Sequence, residues 1–104
     1  MRIFLSHNMS GLKDEEVWQI RHKAEELIKE NIPTAEFIDN YNHPGAPEVF
    51  ANDTARRLWH LGRSIQQLGT AQMIYFCKES TSVGCIVERL IAHLYGIPVL
   101  EMRD

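Results

Sequence analysis

Two periodicities alternate along this chain. Largely apolar runs at residues 2–5, 35–38, 73–77 and 97–100 read as short strands. Between them, apolar residues recur at spacings of three and four, the period of amphipathic helices. Val17, Ile20, Ala24, Leu27 and Ile28 predict a first helix, with Asp14, Glu15 and Glu16 suited to its first turn and Lys29 to its last. Pro33 stops it. Residues 39–47 are rich in Pro, Gly and Asn and predict a loop, either a plain surface connection or a ligand-contacting one. Asn52 or Asp53 caps a second helix carrying Ala55, Leu58, Leu61, Ile65 and Leu68, closed by Gly69. The run 73–77 is continuous enough for burial on both faces. A third helix runs to Tyr95, with Val83, Ile86, Val87, Leu90, Ile91 and Leu94 expected on its core face and Gly96 just past its end. Pro98 puts the last strand at an edge.

Strands alternating with helices imply a parallel sheet with helices on both faces. The expected fold is therefore α/β, a small doubly wound, flavodoxin- or Rossmann-like sheet of strand order 2-1-3-4. In that order the ligand crevice opens between the first and third strands, at their C-terminal ends. The polar loops 6–11 and 78–84 converge there. Ser82 is a good N-cap residue for the third helix, and Gly84 allows a group to approach its backbone. Such a helix start suits an anion. Glu88 follows one turn later on the same side as Gly84. Read locally, this is a capped crossover helix with one exposed Glu; the topology moves Glu88 towards the site.

Composition adds bounds. The 104 residues suffice for a single domain, 1–104. A net charge of -3 argues against a general binder of nucleic-acid polymers, and Arg56, Arg57 and Arg63 read as a solvated helix face. Cys77 and Cys85 form neither a disulfide scaffold nor a CxxC motif, and the five histidines are scattered, so no metal site is expected. Trp59 is expected to pack. No signal-peptide core or membrane-length apolar run occurs, so no membrane partner and a cytoplasmic location are expected.

The segments Ile3-Phe4-Leu5-Ser6-His7-Asn8-Met9-Ser10-Gly11 and Ser82-Val83-Gly84-Cys85-Ile86-Val87-Glu88, followed by Ala92 and Gly96-Ile97-Pro98-Val99, resemble the two signatures of nucleoside 2-deoxyribosyltransferase-like proteins. The resemblance spans nearly the whole chain. It implies cleavage of N-glycosidic bonds in nucleosides or nucleoside monophosphates by hydrolysis or transfer, without a cofactor. It implies Glu88 as nucleophile at the anomeric carbon, with Ser82 and Gly84 holding the sugar 5′ group or its phosphate. Phe4, Ser6, Asn8, Ser10, Gly11 and Tyr41 would complete the substrate contacts. The chain departs from the family at Phe4, where an aromatic hydroxyl is usual, near His7, where a Gly is usual, and near Ser64 and at Gln72, where acids often stand. His7 and Asp39 are the local candidates for the missing general acid. A homodimer or higher oligomer is expected, with Trp59, Leu61 and Tyr95 supplying apolar surface. The alternative is a non-catalytic nucleotide-binding module of the same fold. A receiver domain is disfavoured by the lack of acids after the first strand, and an FMN binder by a thin phosphate loop.

Overall fold

A computed structural model describes residues 1–101. Its elements are β1 (Arg2–Ser6), α1 (Asp14–Asn31), β2 (Glu36–Phe37), α2 (Asp53–Leu68), β3 (Met73–Phe76) and α3 (Val83–Tyr95). The three strands form one parallel sheet in the order β2-β1-β3. Ile3 pairs with Phe37 on one side and with Met73 on the other. The alternation of β1 sorts the core. Ile3 and Leu5 face α1 with Ala24, Ile28 and Cys77. Phe4 faces the opposite way, onto Ile74, Leu68 of α2 and Ala92 of α3. Burial of β1 on both faces explains its unbroken apolar run.

The expected fourth strand is reduced here to one parallel bridge, Ile74 to Val99. Pro98 has no N–H to donate, so only its carbonyl and the Leu100 amide bond to Ile74, at 3.0 and 2.8 Å. The second strand is also shorter than its pattern. After Ile38, the Asn40 side chain leaves the backbone line and donates Nδ2–H to the Leu5 carbonyl at 2.9 Å, taking the place of a ladder bond.

Two faces are oriented differently from their sequence pattern. In α1, Arg21 is buried with Val17, Ala24 and Ile28. Its guanidinium donates to the Asn40 Oδ1, to the Ile38 carbonyl at 2.8 Å and to His7 Nε2 at 3.0 Å. One buried cation thus joins the segments that follow β1 and β2. In α3, the buried residues are Cys85, Glu88 and Ala92, whereas Val83, Ile86, Leu90 and Leu94 are 55–64 % exposed. Apolar residues surround most of α3, so pattern alone cannot choose the face turned to the sheet. Among the described residues no helix is long and apolar enough to cross a membrane.

Candidate functional site

The site is built where the chain after β1 meets the start of α3. The Asn8 amide donates to the Glu79 carbonyl at 2.6 Å, and its side-chain Oδ1 accepts from the amides of Thr81 and Ser82 at 3.0 and 2.8 Å. Asn8 Nδ2–H adds a bond to Thr81 Oγ1 at 3.1 Å. Asn8 is thus a latch that fixes one loop on the other, and it consumes two of the amides near the helix start. Ser82 caps α3 by accepting from the Cys85 amide at 3.4 Å. The amides of Val83 and Gly84, the first helical residues, lie outside these bonds and remain for an anion.

Beside this helix start lies a cleft of about 640 Å³, within the range of small-molecule sites. Glu88, Ser64, Gly84, His7, Tyr41, Arg57 and His60 are among the residues that line it. Glu88 is 6 % exposed and accepts from Ser6 Oγ at 2.8 Å. Burial pushes its carboxyl up to about 7, against the opposing pull of the Ser6 hydrogen bond. A carboxyl so placed is close to half ionised at neutral pH, and it can serve as nucleophile or as proton carrier. It is the one carboxyl lining the cleft among the described residues. Arg56 and Arg57 both line the cleft, and Arg56 is paired with Asp53 at 2.5 Å.

The other expected site residues are distributed unequally. Ser10, Tyr41, Ser82 and Gly84 line the cleft with Glu88 and His7. Ser6 stands behind Glu88 as its hydrogen-bond donor and Asn8 acts as the latch, so each supports the cleft. Gly11 takes a positive φ of 78° in the turn before α1 and lies outside the cleft lining. Phe4 is fully buried in the core beneath α2 and α3, which leaves it no route to a ligand.

Neither expected general acid is free to act as one. A guanidinium only donates, so His7 Nε2 accepts from Arg21 and the ring proton sits on Nδ1, donating to the Asn8 carbonyl at 3.2 Å. Burial, with the Arg21 charge adding to it, holds His7 below the ordinary imidazole range, although the Asn8 bond opposes this. His7 is therefore a neutral ring with both nitrogens engaged. Asp39 is outside the cleft lining and accepts from the Asn42 and Tyr41 amides at 3.1 and 3.0 Å. Its modest burial raises its pKa, but those bonds and the Asn42 side chain outweigh it and leave Asp39 below the usual carboxylate range. The Tyr41 hydroxyl is bonded to Asp14, which raises its pKa.

Pattern reading places Arg57 on a solvated face and passes over His60 and His43 as scattered histidines. The spacing of His60 and Ser64, four apart on a helix, is a signal that they share a face. Nothing local marks His43, which a loop carries to within 2.9 Å of His60. Among the described residues no three His, Cys, Asp or Glu side chains gather to hold a metal ion. In comparisons with protein-family models, curated proteins and solved structures, nothing matches this chain.

Gly84 separates a structural role from a ligand role. A Cβ added there meets Ser82 Oγ at 3.9 Å and Leu61 Cδ1 at 4.0 Å, ordinary contacts. Gly84→Ala should therefore leave the fold intact and stabilise α3 by roughly 0.5 kcal/mol, since glycine is a poor helix former. If a ligand sits on the helix start, the same methyl should weaken its binding at least severalfold. Thermal melts beside ligand titrations check both halves, and unchanged binding would remove the helix start from the site.

Proposed function

We propose that the cleft binds a nucleoside or nucleoside 5′-monophosphate and that Glu88 attacks its anomeric carbon, making the protein an N-glycosidase or 2-deoxyribosyltransferase. The observation that carries this reading is the buried carboxyl of Glu88, raised to about 7, opening on the same cleft as an uncommitted helix start. Such a perturbed group in a concave site is a functional candidate on physical grounds. The ionised form can trap an oxocarbenium-like centre as a glycosyl ester, which water or a second base then releases. Arg57 and the amides of Val83 and Gly84 offer a seat for a 5′-phosphate at the opposite side of the sugar from the base. The resemblance of segments 3–11 and 82–88 to the deoxyribosyltransferase signatures supports the same assignment, and the doubly wound order 2-1-3-4 belongs to this reading with Val99 as its outermost position.

The test is incubation with a panel of nucleosides and monophosphates, followed by chromatography for free base and, with a second base present, for exchanged nucleoside. Release of base from any member supports the reading. Tight nucleotide binding without release would favour the non-catalytic module, and absence of both binding and release would count against either.

The protein is further proposed to act as a homodimer or higher oligomer. Val83, Ile86, Leu90 and Leu94 run along one side of α3, each more than half exposed, with Tyr95 77 % exposed beside them. A second copy covering that stripe would bury it in a closed, symmetric contact. Sedimentation should then give a dimer at micromolar concentration and a monomer for Leu90→Glu with unchanged circular dichroism. A monomeric parent protein would refute the assembly.

A further inference from the structure

Two histidines meet beside the cleft, and one of them, His60, lines it. His43 comes from the loop after β2 and His60 from α2, and their Nδ1 atoms lie 2.9 Å apart. Two ring nitrogens this close repel through their lone pairs unless a proton lies between them. Phe50 and Trp59 enclose the pair, with ring centroids 6.2 Å from His60 and 6.4 Å from His43 respectively. The far nitrogen of His43, Nε2, is 3.4 Å from Ser64 Oγ. His60 and Ser64 line the cleft together with Glu88.

We propose that His60, paired through Nδ1 with His43, is the general acid that protonates the departing base from its Nε2; this role rests on the reaction proposed above. The other groups of the cleft are occupied. With Glu88 acting as nucleophile, no second carboxyl lines the cleft among the described residues. His7 is fixed as a neutral ring by Arg21 and Asn8, and the Tyr41 hydroxyl is bonded to Asp14. His60 is the imidazole that remains on the cleft wall. Burial first, and the neighbouring His60 next, hold His43 below the ordinary imidazole range. The shared Nδ1 proton lies between the two rings, and of these His60 is the ring that lines the cleft.

The pair enters the reaction carrying one proton more than two neutral imidazoles. A Glu88 carboxylate oxygen bonds to the anomeric carbon while the carbon–nitrogen bond breaks, and the electron pair of that bond passes to the base. The base takes the proton from His60 Nε2, leaving two neutral rings that share the Nδ1 proton. Water that later attacks the glycosyl ester gives its proton back to the pair, and Glu88 leaves as carboxylate.

General acid assistance is typically worth about 10²–10⁴-fold. The experiment compares a nucleoside monophosphate with nitrophenyl 2-deoxyribose 5-phosphate, whose leaving group departs without protonation. His60→Gln should lower kcat on the nucleotide by roughly 10²-fold or more with KM little changed, while the nitrophenyl substrate loses far less. Continued cleavage of the activated substrate also reports a folded site. His43→Gln should produce the same selective loss in smaller measure. Equal losses on both substrates, or no loss on the nucleotide, would overturn the assignment. Cleavage of the activated substrate by the parent protein without any on nucleotides would also overturn it and leave Glu88 standing, whereas cleavage of neither would overturn both.

Discussion

Glu88→Gln should abolish turnover and make the protein more stable above neutral pH. An amide is a very poor nucleophile, so loss of the ionised oxygen should remove nearly all activity on both natural and activated substrates. The stability effect follows from burial. The Glu88 carboxyl is raised from 4.5 to about 7 in the folded chain. Its contribution is most favourable below pH 4.5 and is lost progressively as pH rises to 7, where folding must hold a charge that the unfolded chain leaves in water. Above that window the cost is about 3 kcal/mol, because each tenfold change in an ionisation constant is worth about 1.4 kcal/mol. The Gln side chain keeps an acceptor for Ser6 Oγ, which bonds Oε1 at 2.8 Å in the parent, and it carries no charge to desolvate. At pH 8 its melting temperature should exceed the parent's by roughly 10 °C, and near pH 4 the two should nearly coincide. Activity of the parent should rise with pH through about 7 as the carboxylate forms. A Gln variant that is both active and no more stable at pH 8 would show that Glu88 is neither the nucleophile nor buried at a cost. Gain of stability on loss of function is the expected mark of a site residue held in an unfavourable environment.

Arg21→Met should carry the largest stability penalty among the polar residues. Arg21 is 2 % exposed, and its guanidinium serves the Ile38 carbonyl, the Asn40 side chain and His7. Removing it strands three acceptors, each worth about 1–3 kcal/mol if left unsatisfied. The gain from no longer burying a cation offsets part of this, since Arg21 Nε itself lacks a partner. A net loss of about 3 kcal/mol is expected, read from urea unfolding at constant m-value. The damage should be directional. Asn40 would lose its hold on the Leu5 carbonyl and His7 its tautomer, so ligand affinity should fall in the still-folded fraction. Arg21→Lys should rescue little, because an ammonium presents its three donors from a single nitrogen, whereas Arg21 reaches its acceptors from two nitrogens of a planar fork. A loss below about 1 kcal/mol would mean that the segments after β1 and β2 are held by packing alone.

Legibility tracked how local each cause is. The period of Val17, Ala24 and Ile28 is a local property and marks α1 in sequence and structure alike. The Ser82 cap and the Gly96 stop at φ 68° are likewise short-range chemistry. The apolar runs 2–5 and 73–77 sufficed for β1 and β3, since burial on both faces leaves no polar position in the pattern. Arg21 broke the same reading: its charge marks it as solvent-facing by type, and only Ile38, Asn40 and His7, arriving from elsewhere, make an interior place for it. Leu90 broke it in the opposite sense, an apolar residue left 55 % exposed because the sheet accepts Glu88 and Ala92 instead.

By itself the sequence determined the alternation of strands and helices, hence a parallel α/β sheet, and it put Ser82, Gly84 and Glu88 at the start of one helix. Hydrophobic period, capping and the stiffness of proline act over a few residues and are written there. Only the tertiary structure decided which way α3 turns, that Asn8 takes the amides next to Ser82, that Phe4 is sealed in the core, and that His43 reaches His60. These are set by competition among distant groups for a limited interior, where burial raises the pKa of Glu88, lowers that of His7 and leaves the Glu88 carboxyl and the His60 imidazole on one cleft.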